Sequence, residues 1–114
     1  MRRVVIVGRD LIAATRIADA AAAAGCDAAR VDTPDQLPDA SEIGLAFVDW
    51  DDRQADWGAS LRRWRDAADT PAPRLLLFGS HRDVAGHRAA RANGLGPMLA
   101  RSKLFASLPS LLRE

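Results

Sequence analysis

Short apolar runs alternate along the chain with stretches of helical periodicity. Val4 to Val7 is short and β-branched, as expected of a strand buried on both faces. Asp10 is placed to cap the next segment, where Leu11, Ala14, Ile17, Ala18, Ala21 and Ala24 recur at helical spacing, and Gly25 supplies the stop. Ala28 to Val31 reads as a weak second strand. Thr33, Pro34 and Gln36 then read as an N-cap, a first helical residue and the far half of a capping box. Pro38 follows so soon that only about one turn of helix is expected there.

Leu45 to Val48 reads as the third strand. Trp57, Leu61, Trp64 and Ala68 line one face of a helix that TPAP, residues 70 to 73, brings to an end. Leu75 to Phe78 is the fourth strand, and Asp83 to Ala92 the fourth helix, stopped by Asn93 and Gly94. Met98 to Ala100 is a short fifth strand. Leu104, Leu108, Leu111 and Leu112 form a last apolar stripe, with Ser102 placed to cap a turn. Pro109 interrupts that stripe, so the helix is expected to restart at Ser107 with the proline in its first turn.

Strand and helix thus alternate five times in 114 residues, which argues for one domain spanning residues 1–114, with a parallel sheet covered on both faces. In such sheets ligands meet the carboxyl ends of the strands at the switch point. Those ends carry Gly8, Arg9 and Asp10, then Asp49 to Asp52, then Gly79, Ser80 and His81, and finally Arg101, Ser102 and Lys103.

The net charge of +1 gives no global case for nucleic acid. The basic run Arg62, Arg63 and Arg65 is flanked by Asp56, Asp66 and Asp69, and its Trp64 belongs to the apolar stripe; a solvated helix face accounts for it. Cys26 is alone, which rules out an internal disulfide. The apolar run after Arg2 and Arg3 is too short for a signal peptide, and no stretch reaches the ~20 apolar residues of a spanning helix. A cytoplasmic location is expected, with no membrane partner. His81 and His87 are six apart rather than at helical zinc spacing, and no glycine-rich phosphate loop occurs. Ser80 is the one nucleophile near Asp49 and His81, which makes no convincing catalytic set. No metal, cofactor or catalytic residue is expected.

The layout resembles the receiver domain of bacterial response regulators over nearly the whole chain. The resemblance implies a flavodoxin-like three-layer sandwich with strand order 2-1-3-4-5, here with a shortened second helix. Receivers carry an acidic pair after strand one and a phosphoacceptor Asp after strand three. A hydroxyl residue follows strand four and a Lys-Pro pair follows strand five. Asp49 matches the acceptor, and Asp-Trp at 49 and 50 looks like some chemotaxis receivers. The acidic pair falls on Gly8 and Arg9, with Asp10 one residue late. The hydroxyl position falls on Phe78 or Gly79, with Ser80 beyond; the Lys position falls on Arg101 and the Pro position on Ser102, with Lys103 two residues late.

The match is therefore good in fold and poor in site, and the chain looks like a pseudo-receiver. Mg²⁺ asks for oxygen ligands in near-octahedral array, and a guanidinium in place of a carboxylate repels it. The expected alternative is a metal-free charge network of Arg9, Asp49 and Arg101, rimmed by Asp10, Asp51, Asp52, Ser80, His81 and Lys103. The function expected is a signalling module without enzymatic activity, acting on a protein partner that the sequence does not name. The competing expectation is a true phosphorelay receiver phosphorylated on Asp49. Receivers commonly pair through the fourth helix, fifth strand and fifth helix. The resemblance implies a homodimer through that face; Leu95, Met98, Leu104 and Phe105 are expected either to supply its apolar contacts or to be absorbed by the core.

Overall fold

A computed structural model describes residues 2–69 and 71–113; Thr70, the first residue of the expected TPAP stop, lies outside the described residues. Five parallel strands form one sheet in the order β2-β1-β3-β4-β5. They are β1 (Arg3–Val7), β2 (Asp27–Val31), β3 (Leu45–Asp49), β4 (Arg74–Gly79) and β5 (Met98–Ala100). The helices are α1 (Leu11–Ala23), α2 (Trp57–Asp66), α3 (Val84–Ala92) and α4 (Arg101–Arg113). This is the parallel sheet the alternation predicts, in the flavodoxin-like order the resemblance implies, with elements shifted by one or two residues at their ends.

The sheet buries both faces. Ile6, Phe47 and Phe78 point into one layer with Ala14 and Ile17 of α1 and Leu104, Leu108 and Leu112 of α4. Val7, Val48 and Leu77 point into the other with Trp57 and Leu61 of α2 and Ala90 of α3. All five residues of β3 are buried, which is why that strand reads as a continuous apolar run ending in a carboxylate. Of the two places open to them, Leu95, Met98 and Leu104 take the core, at 5%, 5% and 0% exposure.

The second helix is reduced to two 3₁₀ turns, Pro34–Gln36 and Ala40–Glu42. Thr33 and Pro34 sit at the expected cap and first helical positions, but the capping box does not form. The Thr33 hydroxyl bonds Asp35 Oδ1, and Gln36 Oε1 accepts the N–H of Asp32 at 2.9 Å. The Gln36 N–H that the Thr33 hydroxyl would accept in a capping box donates instead to the Thr33 carbonyl at 3.1 Å. The side chain of Trp64 fills the space that a longer helix would take, with Nε1 donating to Pro38 O at 2.7 Å.

Two other expectations fail. Leu11 begins the α1 stripe but, as the first residue of the helix, is 60% exposed. The last helix does not restart at Ser107, and Ser102 caps nothing. α4 leaves β5 at Arg101 and runs unbroken to Arg113 with Pro109 inside it. An interior proline removes one backbone hydrogen bond and costs ~3 kcal/mol. Leu104, Leu108 and Leu112, four residues apart and all buried, hold both halves of the helix on the same core and offset that cost.

Candidate functional site

The carboxyl ends of β1, β3, β4 and β5 meet in one crevice. Asp49 closes β3 and points into it. The next residues, Trp50–Asp52, form a 3₁₀ turn for which Asp49 is the cap: Oδ1 accepts the N–H of Asp51 at 3.2 Å. Asp10 caps α1, accepting the N–H groups of Ile12 and Ala13 at 3.1 Å each. Arg101 is the first residue of α4, so its side chain starts directly over the crevice.

One guanidinium serves three carboxylates. Arg101 Nη2 lies 2.7 Å from both Asp49 oxygens. Its Nε donates to Asp51 Oδ2 at 3.0 Å, and its Nη1 reaches Asp10 Oδ2 at 3.4 Å. The plane of the group rests over the Phe78 ring, 5.1 Å from the centroid. Three nitrogens fixed in one plane divide themselves among three acceptors, a spread geometry that the compact ammonium of lysine does not offer. Asp51 is itself positioned from β4, since its Oδ1 accepts the N–H of Ser80 at 2.9 Å.

The Asp49 side chain is 6% exposed and that of Arg101 31%. Burial pushes the Asp49 carboxyl above its ordinary value, against the opposing hydrogen bonds and charge of Arg101. Burial also opposes the Arg101 charge, but hydrogen bonds to Asp51 and Asp49 outweigh it and hold its pKa up. The pair is thus the desolvated centre of the crevice, with Asp51 and Asp10 bonded to the same cation at its wetter edge.

Arg9 is not part of this network. Its side chain is exposed, its backbone N–H donates to Asp52 Oδ2 at 3.1 Å, and its charge acts on Asp32 across the surface. The preceding Gly8 has φ +142°, and Arg30 Nη1 donates to its carbonyl at 3.0 Å. The chain therefore turns at the end of β1 and leaves Arg9 in water, where its charge is best solvated. Ser80 and His81 lie on the exposed turn after β4, and Lys103 on the outer face of α4. His81 accepts through its carbonyl oxygen from His87 Nε2 at 3.2 Å.

The residues do not fit a divalent ion. Among the described residues no group of three or more His, Cys, Asp or Glu is arranged to hold a metal. Gly8 offers no ligand, and a Cβ there would lie 2.8 Å from Asp49 Cβ. The Asp49 oxygens already accept from Arg101.

A second network beside the crevice has no counterpart in the sequence analysis. Trp50 is 1% exposed and its Nε1 donates to Gly86 O at 2.8 Å. Arg53 covers its ring at 5.5 Å, donates to Trp50 O at 2.9 Å and pairs with Asp83 at 2.7 Å. The hydrogen bond from Arg53 holds the Asp83 carboxyl below its ordinary value. Asp83 also accepts the Gly86 N–H, so it caps α3 and anchors Arg53 at once. Its position just before the fourth helical pattern was the available signal.

Solved structures with the same arrangement are known. A response regulator receiver protein from Burkholderia phymatum superposes with a TM-score of 0.70 at 17% identity, over 99% of this chain and 96% of that one. A response regulator receiver domain protein from Clostridium thermocellum gives 0.71 at 11% identity, over 99% and 95%. The fold is that of receiver domains. At these identities the likeness shows the fold alone. No family model matches the chain, and no curated protein matches it. Within the receiver fold, the end of β3 is the place Asp49 occupies, and the end of β5 is the place of Arg101. Among the described residues no helix is long and apolar enough to cross a membrane.

Proposed function

We propose that the chain is a receiver-like signalling module without enzymatic activity, which works by binding other proteins and not by phosphorylation of Asp49. The observation that carries this reading is the contact of Arg101 Nη2 with both Asp49 oxygens at 2.7 Å. An acceptor carboxylate attacks a phosphorus atom through a free lone pair, in line with the leaving group, while a metal gathers the charge of the transferred oxygens. Here both oxygens are engaged by a cation that cannot lose its proton, and the metal's ligands are missing. Arg101 fills the role of the metal as counter-ion at this carboxylate.

The competing reading has one observation in its favour: Asp10, Asp49 and Asp51 converge on a single point, and a movement of Arg101 would leave three carboxylates around it. Intact-protein mass after incubation with acetyl phosphate and Mg²⁺ separates the two. Wild type is expected to keep its unmodified mass. A phosphoryl adduct on wild type that is absent from Asp49→Ala would establish the phosphorelay reading instead.

A further inference from the structure

Charge is divided between the two ends of the sheet. Residues 10–52 hold ten carboxylates against two arginines, Arg16 and Arg30. Residues 84–113 hold five cations and no carboxylate. The fold keeps these groups apart. The acidic segment supplies α1, β2 and the 3₁₀ turns at the β2 end before running into central β3, where Asp49, Asp51 and Asp52 join Asp10 at the crevice, and the basic segment builds the β5 end with α3 and α4.

At the β2 end, Asp19 on α1, Asp27 on β2 and Asp35 in the turn that follows are exposed and in no ion pair among the described residues. Arg30, the one arginine of that strand, is neutralised by Asp32. β2 is also an edge strand, so one side of its backbone has no neighbouring strand. At the β5 end, Arg82 precedes α3 and Arg88 and Arg91 lie on its outer surface, all exposed and in no ion pair among the described residues. Asp83 does not balance them, because Arg53 holds it. Val84, 60% exposed, lies one turn before Arg88 on the same helix.

A symmetric pairing through α3, β5 and α4 places the same patch on both partners. Here that patch would set Arg88, Arg91, Lys103 and Arg113 against their own copies, with no carboxylate on these elements to receive them. Leu95, Met98 and Leu104 of that side are already in the core. We propose that the basic α3 surface at the β5 end binds the acidic β2 end of a second copy, so that chains associate head to tail. Opposite charges then meet at every junction, and an assembled pair still presents one free acidic and one free basic end. Such a contact is heterologous and grows with concentration instead of closing at two. It joins exposed charges, so it weakens as salt shortens the screening length, from ~10 Å at 0.1 M to ~3 Å at 1 M. The inference is independent of whether Asp49 is phosphorylated.

The test is light scattering over a range of protein concentrations at low and high salt. The samples are wild type, Arg88→Glu with Arg91→Glu, Asp27→Lys with Asp35→Lys, and an equimolar mixture of the two variants. All four positions are exposed, so the folds are expected to survive, and circular dichroism checks this. The mass of wild type should rise with concentration at low salt and return to that of the monomer at high salt. Each variant alone has two ends of like sign and should stay monomeric, and the mixture should regain the mass. Monomeric wild type at low salt, a closed dimer, or association that both variants retain alone would overturn the proposal.

Discussion

Arg101→Ala is expected to lower the stability of the fold by about 2–4 kcal/mol at neutral pH. Removing one partner of a fully buried ion pair costs ~3–5 kcal/mol, because the other charge stays behind without compensation. The Asp49 side chain is 6% exposed and fits that description. Arg101 is 31% exposed, so water already screens part of the interaction, and the lower part of the range applies. The change also removes the partner of Asp51 and Asp10 and the packing over Phe78. Those two carboxylates are about a third or more exposed, and water replaces the cation at modest cost.

The loss has a direction in pH. Burial raises the Asp49 carboxyl above its ordinary 3.8, and Arg101 opposes the rise. Without Arg101 the folded-state value climbs further. A carboxyl whose pKa is higher folded than unfolded loses stability as pH rises from the unfolded to the folded value, and keeps it below both. The deficit of Arg101→Ala is therefore largest at neutral pH and shrinks as pH falls through the raised value. Urea denaturation at several pH values reads this directly. Adding Asp49→Asn to Arg101→Ala should remove the pH dependence and recover part of the loss. A deficit that stays constant down to acid pH would mean that the cost of losing Arg101 is packing, not charge.

The second large effect is expected from restoring the first acidic position of the receiver pattern. Gly8→Asp should destabilise by about 2–5 kcal/mol and bring no Mg²⁺ affinity. At φ +142° the backbone of Gly8 suits glycine, and such strain costs ~1–3 kcal/mol for other residues. The new Cβ would also lie 2.8 Å from Asp49 Cβ, near the strand backbone, which cannot swing away as the tip of a long side chain does. Gly8→Ala should cost nearly as much, since the obstacle is the Cβ. Arg9→Asp, at an exposed position, should change stability by no more than about 0.5 kcal/mol. Thermal unfolding of the three variants separates shape from charge. Equal, small effects at positions 8 and 9 would show that the end of β1 can relax.

The strands were legible because burial on both faces leaves few residue types to choose from. Val4 to Val7 and Leu45 to Val48 announce themselves, and Gly25 and Gly94 take the positive φ angles their stop signals require. The Asp49–Arg101 pairing was legible as a problem of charge balance: a carboxylate at a strand end had lost its usual company, and two arginines stood near it in the topology. Which arginine answers it was not legible, because Gly8 permits the turn but does not show which way it directs the Arg9 side chain. Asp10 shows the limit of one role per residue, since it caps α1 and reaches Arg101. Pro109 misled because a local rule was set against three buried leucines, and packing prevailed.

The most direct test of the account is a Mg²⁺ titration followed by amide nitrogen–proton NMR. The account holds that a guanidinium, not a metal, balances Asp49. Amide signals of Gly8, Asp10, Asp49, Asp51 and Arg101 should then stay in place up to millimolar Mg²⁺ in the wild-type protein. Saturating shifts confined to these residues would show a metal site at the end of β3 and contradict it.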